Sequence, residues 1–474
     1  MSLWNKDELL QAFANKYLQY NLADDLQIAE VIIDSRKITN NGLFVALKGD
    51  NNDGHDFLNQ AIENGCKCLI IDNAKALEKI STTSEISFIL VKNTFDALYD
   101  LAKYSRKRSN ARIIAVTGSV GKTTTKEMLK LAFSSIGKTY ATVGNLNNHI
   151  GLPLSLCNFA QDCDYGIFEM GMNHANEIAP LSQLAQPHLA IITNVGAAHI
   201  ENFGSEEKIA EAKAEIFSGI LQNSSLALIN GDNKHYEFLK KCAANYQVKN
   251  LYNFGKASYN SYRITNEKTI NYNLSEIATV SKNGENITYE ISSCNQAIID
   301  NSLIVLSSLD LLVSKTQRDQ ALKSLKNFTI GSGRGKISEI KIANKNILII
   351  DDTYNANILS ISAGLQHAQK LKLALSKKRL IVAIGDMLEL GEKSSQLHQD
   401  LGAIFTKCQV DFALLVGNEV KFLAAKLDKN YYDIFTTSEE LASQIFAFLQ
   451  DGDILFVKGS RGIRMEKIVN KLLG

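Results

Sequence analysis

A chain of 474 residues is too long for one ordinary core, and at roughly 100–200 residues per domain it predicts two to four domains, with three as the working number. With 45% hydrophobic and 21% charged residues and a net charge of +1, the composition is that of a soluble globular protein. It offers no global field for nucleic acid or a membrane, so an anionic ligand has to be held by a local site.

The start, MSLWNKDELLQAF, has acidic residues where a secretory leader would carry an apolar core, and no apolar run reaches transmembrane length. Seven cysteines without a CxxC pair argue against a disulfide framework or a thiolate zinc site. The expectation is a cytoplasmic protein with reduced thiols.

Within the first ninety residues, helical spacing over Asp7–Tyr17 is followed by short apolar runs at Val31–Asp34 and Leu43–Leu47 and by CLIID ending at Asp72. These predict a small α/β domain over residues 1–91. From about Lys92 a helical stretch, FDALYDLAKYSRK, leads into RIIAVTG, a buried-type strand running into a glycine turn and then a helix. Further strands are predicted at Tyr165–Phe168 and Leu189–Thr193 with helices between them, the alternation of a parallel sheet covered by helices. Between Asn250 and Ser293 the pattern turns polar and period-two, which predicts an antiparallel extension of that sheet. The central domain therefore runs over residues 92–330.

GSGRG at Gly331 punctuates the chain. Beyond it NILIID, RLIVAIGD, FALLVGN and DILFVKGS are each followed by a helix-length segment, predicting a doubly wound, Rossmann-like domain over residues 331–474. Ligands of such a domain lie at the carboxyl ends of its strands, where Asp352, Asp386, Asn418 and Ser460 fall. The fold class expected is α/β in three domains.

The segment TGSVGKTTTKE, Thr117–Glu127, has the composition of a phosphate loop. Gly118 and Gly121 allow backbone amides to turn toward an anion, the following helix N-terminus adds partial positive charge, Lys122 adds a full one, and Thr123 offers a hydroxyl to Mg²⁺. The longer form of the motif has glycine where this chain has Val116. The bland alternative is a chance glycine turn before a helix. Such a loop implies a bound nucleotide and leaves kinase, GTPase, motor and ligase open.

Glu169 closes the run YGIFEMG, and His199 lies just beyond the next strand in IITNVGAAHIENFGS, so both fall at strand ends near the loop. They are plausible ligands for hard cations, although a helix-capping glutamate and a satisfied loop histidine are the ordinary readings. Lys213 shares the apolar face of EEKIAEAKAEIFSGI with Ile209, Ile216, Phe217 and Ile220. Helices keep lysine off such a stripe. It either snorkels to solvent, pairs with phosphate, or is carbamylated into a metal-binding anion.

In order, TGSVGKTTT, NLNNHIGLP, EMGMNHANEI, TNVGAAHIENFGS and AKAEIF resemble the central domain of the Mur ligase family. In the last third, DDTYNANILS, IGDMLELGEKSSQLH and VKGSRGIRMEKIV are similar to the branch of that family that adds D-alanyl-D-alanine. The N-terminal DSRKITNNGLFVALKGDNNDGHDF resembles the family's uridine-nucleotide domain. The resemblance spans essentially the whole chain. It implies an ATP-dependent amide ligase that joins D-Ala-D-Ala to UDP-N-acetylmuramoyl (UDP-MurNAc) tripeptide through an acyl phosphate, making the pentapeptide precursor of peptidoglycan. It also implies a cytoplasmic monomer with small-molecule substrates.

By the same resemblance, Gly118, Ser119, Val120, Gly121, Lys122, Thr123 and Thr124 hold ATP phosphates. Thr123 and Glu169 ligate one Mg²⁺, with His199 and carbamylated Lys213 at a second; Lys122, His199 and Lys213 form the catalytic set. Asn145, Asn147 and Asn148 lie near the γ-phosphate and the tripeptide end. Arg334 and Asp352 approach ATP from the last domain, Asn355 and Asn357 line that cleft, Asn301 belongs to the nucleotide site, and Ser35 and Arg36 face the uridine nucleotide.

Three positions depart from the family pattern. Asn176 stands for a glycine, Ile358 for a proline, and Ala297 with Ile298 for a His-Asn pair, so an adenine contact through that pair is not expected from this helix. The competing readings are a sister ligase adding another amino acid, against which the absence of a DNPR-type motif counts, and a phosphate-loop switch ATPase that ligates nothing.

Overall fold

The computed structural model describes residues 2–80, 86–197, 200–342 and 344–474. His199 lies outside the described residues. Besides a two-stranded pairing of Trp4–Asn5 with Gln27–Ile28, three larger sheets follow one another along the chain. The first has five strands in the order Tyr17–Asn21, Ser87–Val91, Cys66–Ile71, Gly42–Val45, Glu30–Ile32, parallel except for Tyr17–Asn21. The helix expected to reach Tyr17 stops at Phe13, because Ala14 and Asn15 turn left-handed (φ 45° and 65°) and redirect the chain into that antiparallel edge strand. Leu9 and Phe13 already supply the helix's buried face.

The central sheet has nine strands, in the order Asn286–Ile291, Leu274–Val280, Tyr262–Asn271, Asn250–Gly255, Leu226–Asn230, Leu189–Ile192, Arg112–Thr117, Tyr165–Glu169, Thr139–Ala141. From Tyr262–Asn271 to Thr139–Ala141 neighbours pair in parallel, and the two outermost strands add antiparallel, the extension the polar alternation predicts. Register decides the site. Val116 pairs with Glu169 on one side and Thr117 with Ile192 on the other, so three parallel strands end side by side.

The third sheet runs Lys336–Ile342, Lys345–Asp351, Ile454–Lys458, Leu380–Gly385, Phe412–Val416, Tyr432–Phe435. Its four core strands are those predicted. The two edges, one of them an antiparallel hairpin arm, are half-exposed, so neither shows the continuous apolar run of a buried strand.

Helix Thr94–Arg108 joins the first two sheets, packing against the N-terminal helix Lys6–Phe13 and the central helix Gly151–Cys157. The Trp4 indole N–H donates to the Cys157 carbonyl (2.9 Å), and the Arg108 guanidinium lies 4.0 Å over the Trp4 ring. The Asn158 amide accepts from Val31 N–H (2.9 Å) and donates to its carbonyl (2.8 Å), a side-chain imitation of strand pairing. On the other side, the third domain meets the central one where Lys393 Nζ donates to Gly204 O (3.1 Å) and Leu359 packs on Gly196.

Candidate active site

Strand Arg112–Thr117 delivers the chain into Gly118–Gly121, and helix Lys122–Ser134 begins at once. Gly118 has no room for a side chain, since a Cβ there would run into Thr193 Oγ1. Gly121 is left-handed at φ 85°, and a Cβ would come within 3.0 Å of Asn301 Oδ1, so the loop is wedged against the helix carrying Asn301. The neighbouring strand end holds the loop's shape: Ser119 N–H donates to Asn194 O (2.8 Å), Ser119 Oγ to Gly196 O (3.0 Å), and Thr193 Oγ1 to Val120 O (2.6 Å). Thr193 and Asn194 were not singled out from sequence.

Lys122 Nζ donates to Gly118 O at 2.6 Å, folded back over the loop. Burial pushes its pKa down, Glu169 opposes that, and Arg334 adds to it. Glu169, essentially fully buried, accepts from Thr123 Oγ1 through one oxygen (2.8 Å) and from Asn147 Nδ2 through the other (2.8 Å). Thr123, Glu169 and Asn147 are thus brought together. Asn148 is not aimed at them, because its Oδ1 accepts from Ile150 and Gly151 N–H (3.2 and 2.8 Å) at the start of the next helix. Asn145 is exposed on the same loop.

Lys213 is 3% exposed, in helix Glu206–Ala214. Ile216 and Phe217 follow in a 3₁₀ turn, so the apolar stripe read as one helix is two elements with one buried face. Among the described residues no hydrogen-bond or ion-pair partner meets Lys213 Nζ; burial pushes its pKa well down, and the Lys122 charge pushes the same way. Next to it, Glu215 accepts from Asn176, Ile178 and Ala179 N–H (2.6, 3.0 and 3.1 Å) and caps helix Ile178–Ala185. Asn176 is left-handed at φ 67°, which explains why glycine suits that position and why asparagine is tolerated.

From the third domain, Asp352 follows strand Lys345–Asp351 beside Lys458, whose Nζ donates to Asp352 Oδ2 (2.7 Å) and Asn355 O (2.8 Å). Burial raises the Asp352 pKa; Lys458, and more weakly Arg334, pull it back. The Arg334 charge is thus felt at both Lys122 and Asp352, and its guanidinium sits 3.9 Å over the Tyr354 ring. Asn357 caps helix Ile358–Ala374, with Ile358 at the first helical position, where proline's missing N–H is also harmless. A cavity of about 350 Å³ opens beside the phosphate loop between the two domains, lined by Asn194, Gly196, Asp232, Asn233, Ile358 and Leu359.

Ala297 is exposed and Ile298 buried at the start of helix Gln296–Leu312, so neither offers a polar side-chain contact to a base. The Gln296 amide is committed to Glu267 and Asp300 (2.8 and 3.0 Å). Ser35 and Arg36 lie in a 3₁₀ turn of the N-terminal domain; Ser35 Oγ donates to Gln60 (2.6 Å), and exposed Arg36 pairs with Asp34 (2.9 Å).

Among the described residues no three His, Cys, Asp or Glu side chains gather to hold a metal unaided. The Thr123 hydroxyl and Glu169 carboxylate fit an ion that takes one or two protein oxygens and completes its shell with phosphate and water, which is how Mg²⁺ is usually bound. Lys458 and Lys126 were missed in the sequence. Both sit among buried residues, the same signal that singled out Lys213.

Residues 27–106 match the family described as Mur ligase family, catalytic domain; 116–309 match Mur ligase middle domain; and 338–461 match Mur ligase, glutamate ligase domain. The chain is similar to the UDP-N-acetylmuramoyl-tripeptide–D-alanyl-D-alanine ligase of Rickettsia prowazekii, 34% identical with 99% of each chain covered. It is also similar to that of Bacillus subtilis, 32% identical with 94% of this chain and 93% of the other covered. In three dimensions it is similar to MurF from Acinetobacter baumannii, with a TM-score of 0.83 at 28% identity over 99% of this chain and 98% of that one. It is likewise similar to MurF from Thermotoga maritima in complex with ADP, with a TM-score of 0.76 at 26% identity over 94% and 96%.

Proposed function

This chain belongs to the Mur ligase family, and from that premise we propose that it is the ATP-dependent ligase that joins D-alanyl-D-alanine to UDP-MurNAc-tripeptide, completing the pentapeptide precursor of peptidoglycan. The observation that carries the reading is a phosphate loop and a buried, clamped Glu169 on one domain, with the charge of Arg334 from the next domain felt at both Lys122 and Asp352. Residues 1–91 would take the uridine nucleotide through Ser35 and Arg36, 92–330 the ATP phosphates, and 331–474 would close over both. The protein would act as a cytoplasmic monomer on small molecules. No described helix is long and apolar enough to cross a membrane.

The tripeptide carboxylate attacks the γ-phosphorus of ATP and ADP leaves, giving an acyl phosphate. The dipeptide amine then adds to the acyl carbon, loses a proton, and phosphate departs as the amide forms. The chain's part is to orient the groups and offset charge on the transferring phosphoryl, the main task in this chemistry. Lys122 swings from Gly118 O to that phosphoryl, and Asn147 keeps Glu169 from rotating. Mg²⁺, when bound, neutralises phosphate charge; Thr123 and Glu169 would hold one ion, Lys213 as its carbamate and His199 a second. Arg334 and Asp352 approach the nucleotide as the domains close, with Gly331–Gly335 as a hinge.

With Mg²⁺, ATP, the nucleotide-linked tripeptide and D-Ala-D-Ala, one pentapeptide is expected per ADP and phosphate released. Parallel reactions with free D-alanine or diaminopimelate are expected to give no comparable product. Phosphate release that is indifferent to omission of the dipeptide would overturn the ligase reading in favour of a switch ATPase.

A further inference from the structure

The helix that carries Lys122 and Thr123 buries a second lysine one turn on. Lys126 is 0% exposed, on the same face as Leu129 and Phe133. Its ammonium donates to Thr142 O (2.7 Å) and Gly144 O (3.1 Å) and forms an ion pair with Glu127 Oε1 (2.9 Å). Putting an ammonium inside a protein is costly unless each proton finds an acceptor. Both hydrogen-bond acceptors are carbonyls of one loop, the segment 142–148 that contains Asn145 and Asn147.

The loop is anchored at its ends, where Thr142 N–H donates to Ile167 O (3.0 Å) and Asn148 Oδ1 caps the next helix, and Lys126 holds the stretch between them. Val143 and Gly144 are exposed, and Gly144 is left-handed at φ 57°. What it presents bears directly on the site. Thr142 Oγ1 accepts from Glu169 N–H (3.2 Å), Asn147 O accepts from Gly171 N–H (2.8 Å), and Asn147 Nδ2 holds the Glu169 carboxylate oxygen that faces away from Thr123. A chain of contacts therefore runs from Lys126 through Thr142 and Asn147 to Glu169.

We propose that Lys126 is a positioning residue: it pins loop 142–148 to the phosphate-loop helix, so that Asn147 and Thr142 set the direction of the Glu169 carboxylate against Thr123. It touches neither phosphate nor the reacting atoms. The inference rests on the ligase reading for its kinetic consequences, and on geometry alone for its effect on the loop.

Lys126→Met removes the ammonium and keeps the volume. The KM for the nucleotide-linked tripeptide and the Mg²⁺ concentration for half-maximal rate are expected to rise about tenfold or more, as when a support behind a metal ligand is lost. The Kd for ADP measured without Mg²⁺ stays within about twofold, because Gly118–Lys122 is held by the other strand end. Combined with Asn147→Ala, the lysine change adds little, since both break the same chain. Hydrogen exchange, which needs no turnover, is expected to quicken at amides 142–148 and not at 118–123. That outcome in a protein that makes no pentapeptide would fail the ligase reading and keep this one.

Multiplying effects in the double variant, a parallel loss of ADP affinity, or unchanged exchange at 142–148 each overturns the proposal. Should Lys126→Met not fold, Lys126→Gln, which keeps one donor, is read in the same way. Insolubility of both would leave the lysine a fold-holding role only and reject positioning.

Discussion

Lys122→Ala is expected to lower kcat by about 10²-fold or more while the protein still folds, because a preorganised donor aimed at developing charge commonly contributes about that much. The side chain is suited to it. It starts the helix at the mouth of a loop held by Ser119, Thr193 and Asn194, so the ammonium arrives without the loop having to reorganise. Its resting contact is a single hydrogen bond to Gly118 O at 2.6 Å, which it can exchange for a phosphate oxygen. Burial lowers its pKa and Glu169 supports the charge, so the Lys122–Glu169 pairing matters to keeping it protonated. The assay is pentapeptide formation at saturating ATP, with a thermal melt as the control for folding. Activity within a few-fold of the parent would mean that this loop is not where the phosphoryl is transferred.

Lys213→Ala is expected to abolish most activity, and acetate at high concentration to restore part of it. At 3% exposed, without a described partner and with its pKa pushed well down, Lys213 holds an amine that is neutral far more readily than an ordinary lysine. A neutral amine can take up CO₂, releasing a proton and leaving a carbamate with two oxygens, the ligand type that hard cations prefer. The sign of the pH effect follows. Deprotonation precedes CO₂ capture, so carbamate occupancy rises with pH through the depressed lysine value and with bicarbonate, and activity limited by it rises in the same direction. Rescue by small amines in place of carboxylates would assign Lys213 to phosphate pairing, and an undiminished Lys213→Ala protein would dispose of both roles.

The phosphate loop, the four core strands of the last domain and the antiparallel extension were legible because each rests on local chemistry: glycines where a backbone must turn toward an anion, unbroken apolar runs where a strand is buried on both faces, alternation where one face is wet. Lys213 stood out for a related reason, a cation on an apolar face, and Lys126 obeys the same rule one turn after the loop. What the chain's linear order left open was pairing. That Val116 registers with Glu169 and Thr117 with Ile192 is a property of parallel neighbours far apart in sequence. That register sets Glu169 beside Thr123 and Thr193 and Asn194 against the loop, and the loop 142–148 laid over the same strand ends brings Asn147 to Glu169. The end of the first helix at Phe13 was likewise decided by two left-handed residues redirecting the chain to a sheet edge. Asn148, read from sequence as one of three equivalent asparagines, turned out to have its carbonyl committed to a helix start. Residue chemistry thus marked the glycine loop and its lysine and where helices and buried strands run. Strand register and domain packing decided which of those groups meet, because hydrogen-bonded neighbours in a parallel sheet are chosen by the burial of the whole layer and not by any local run of residues.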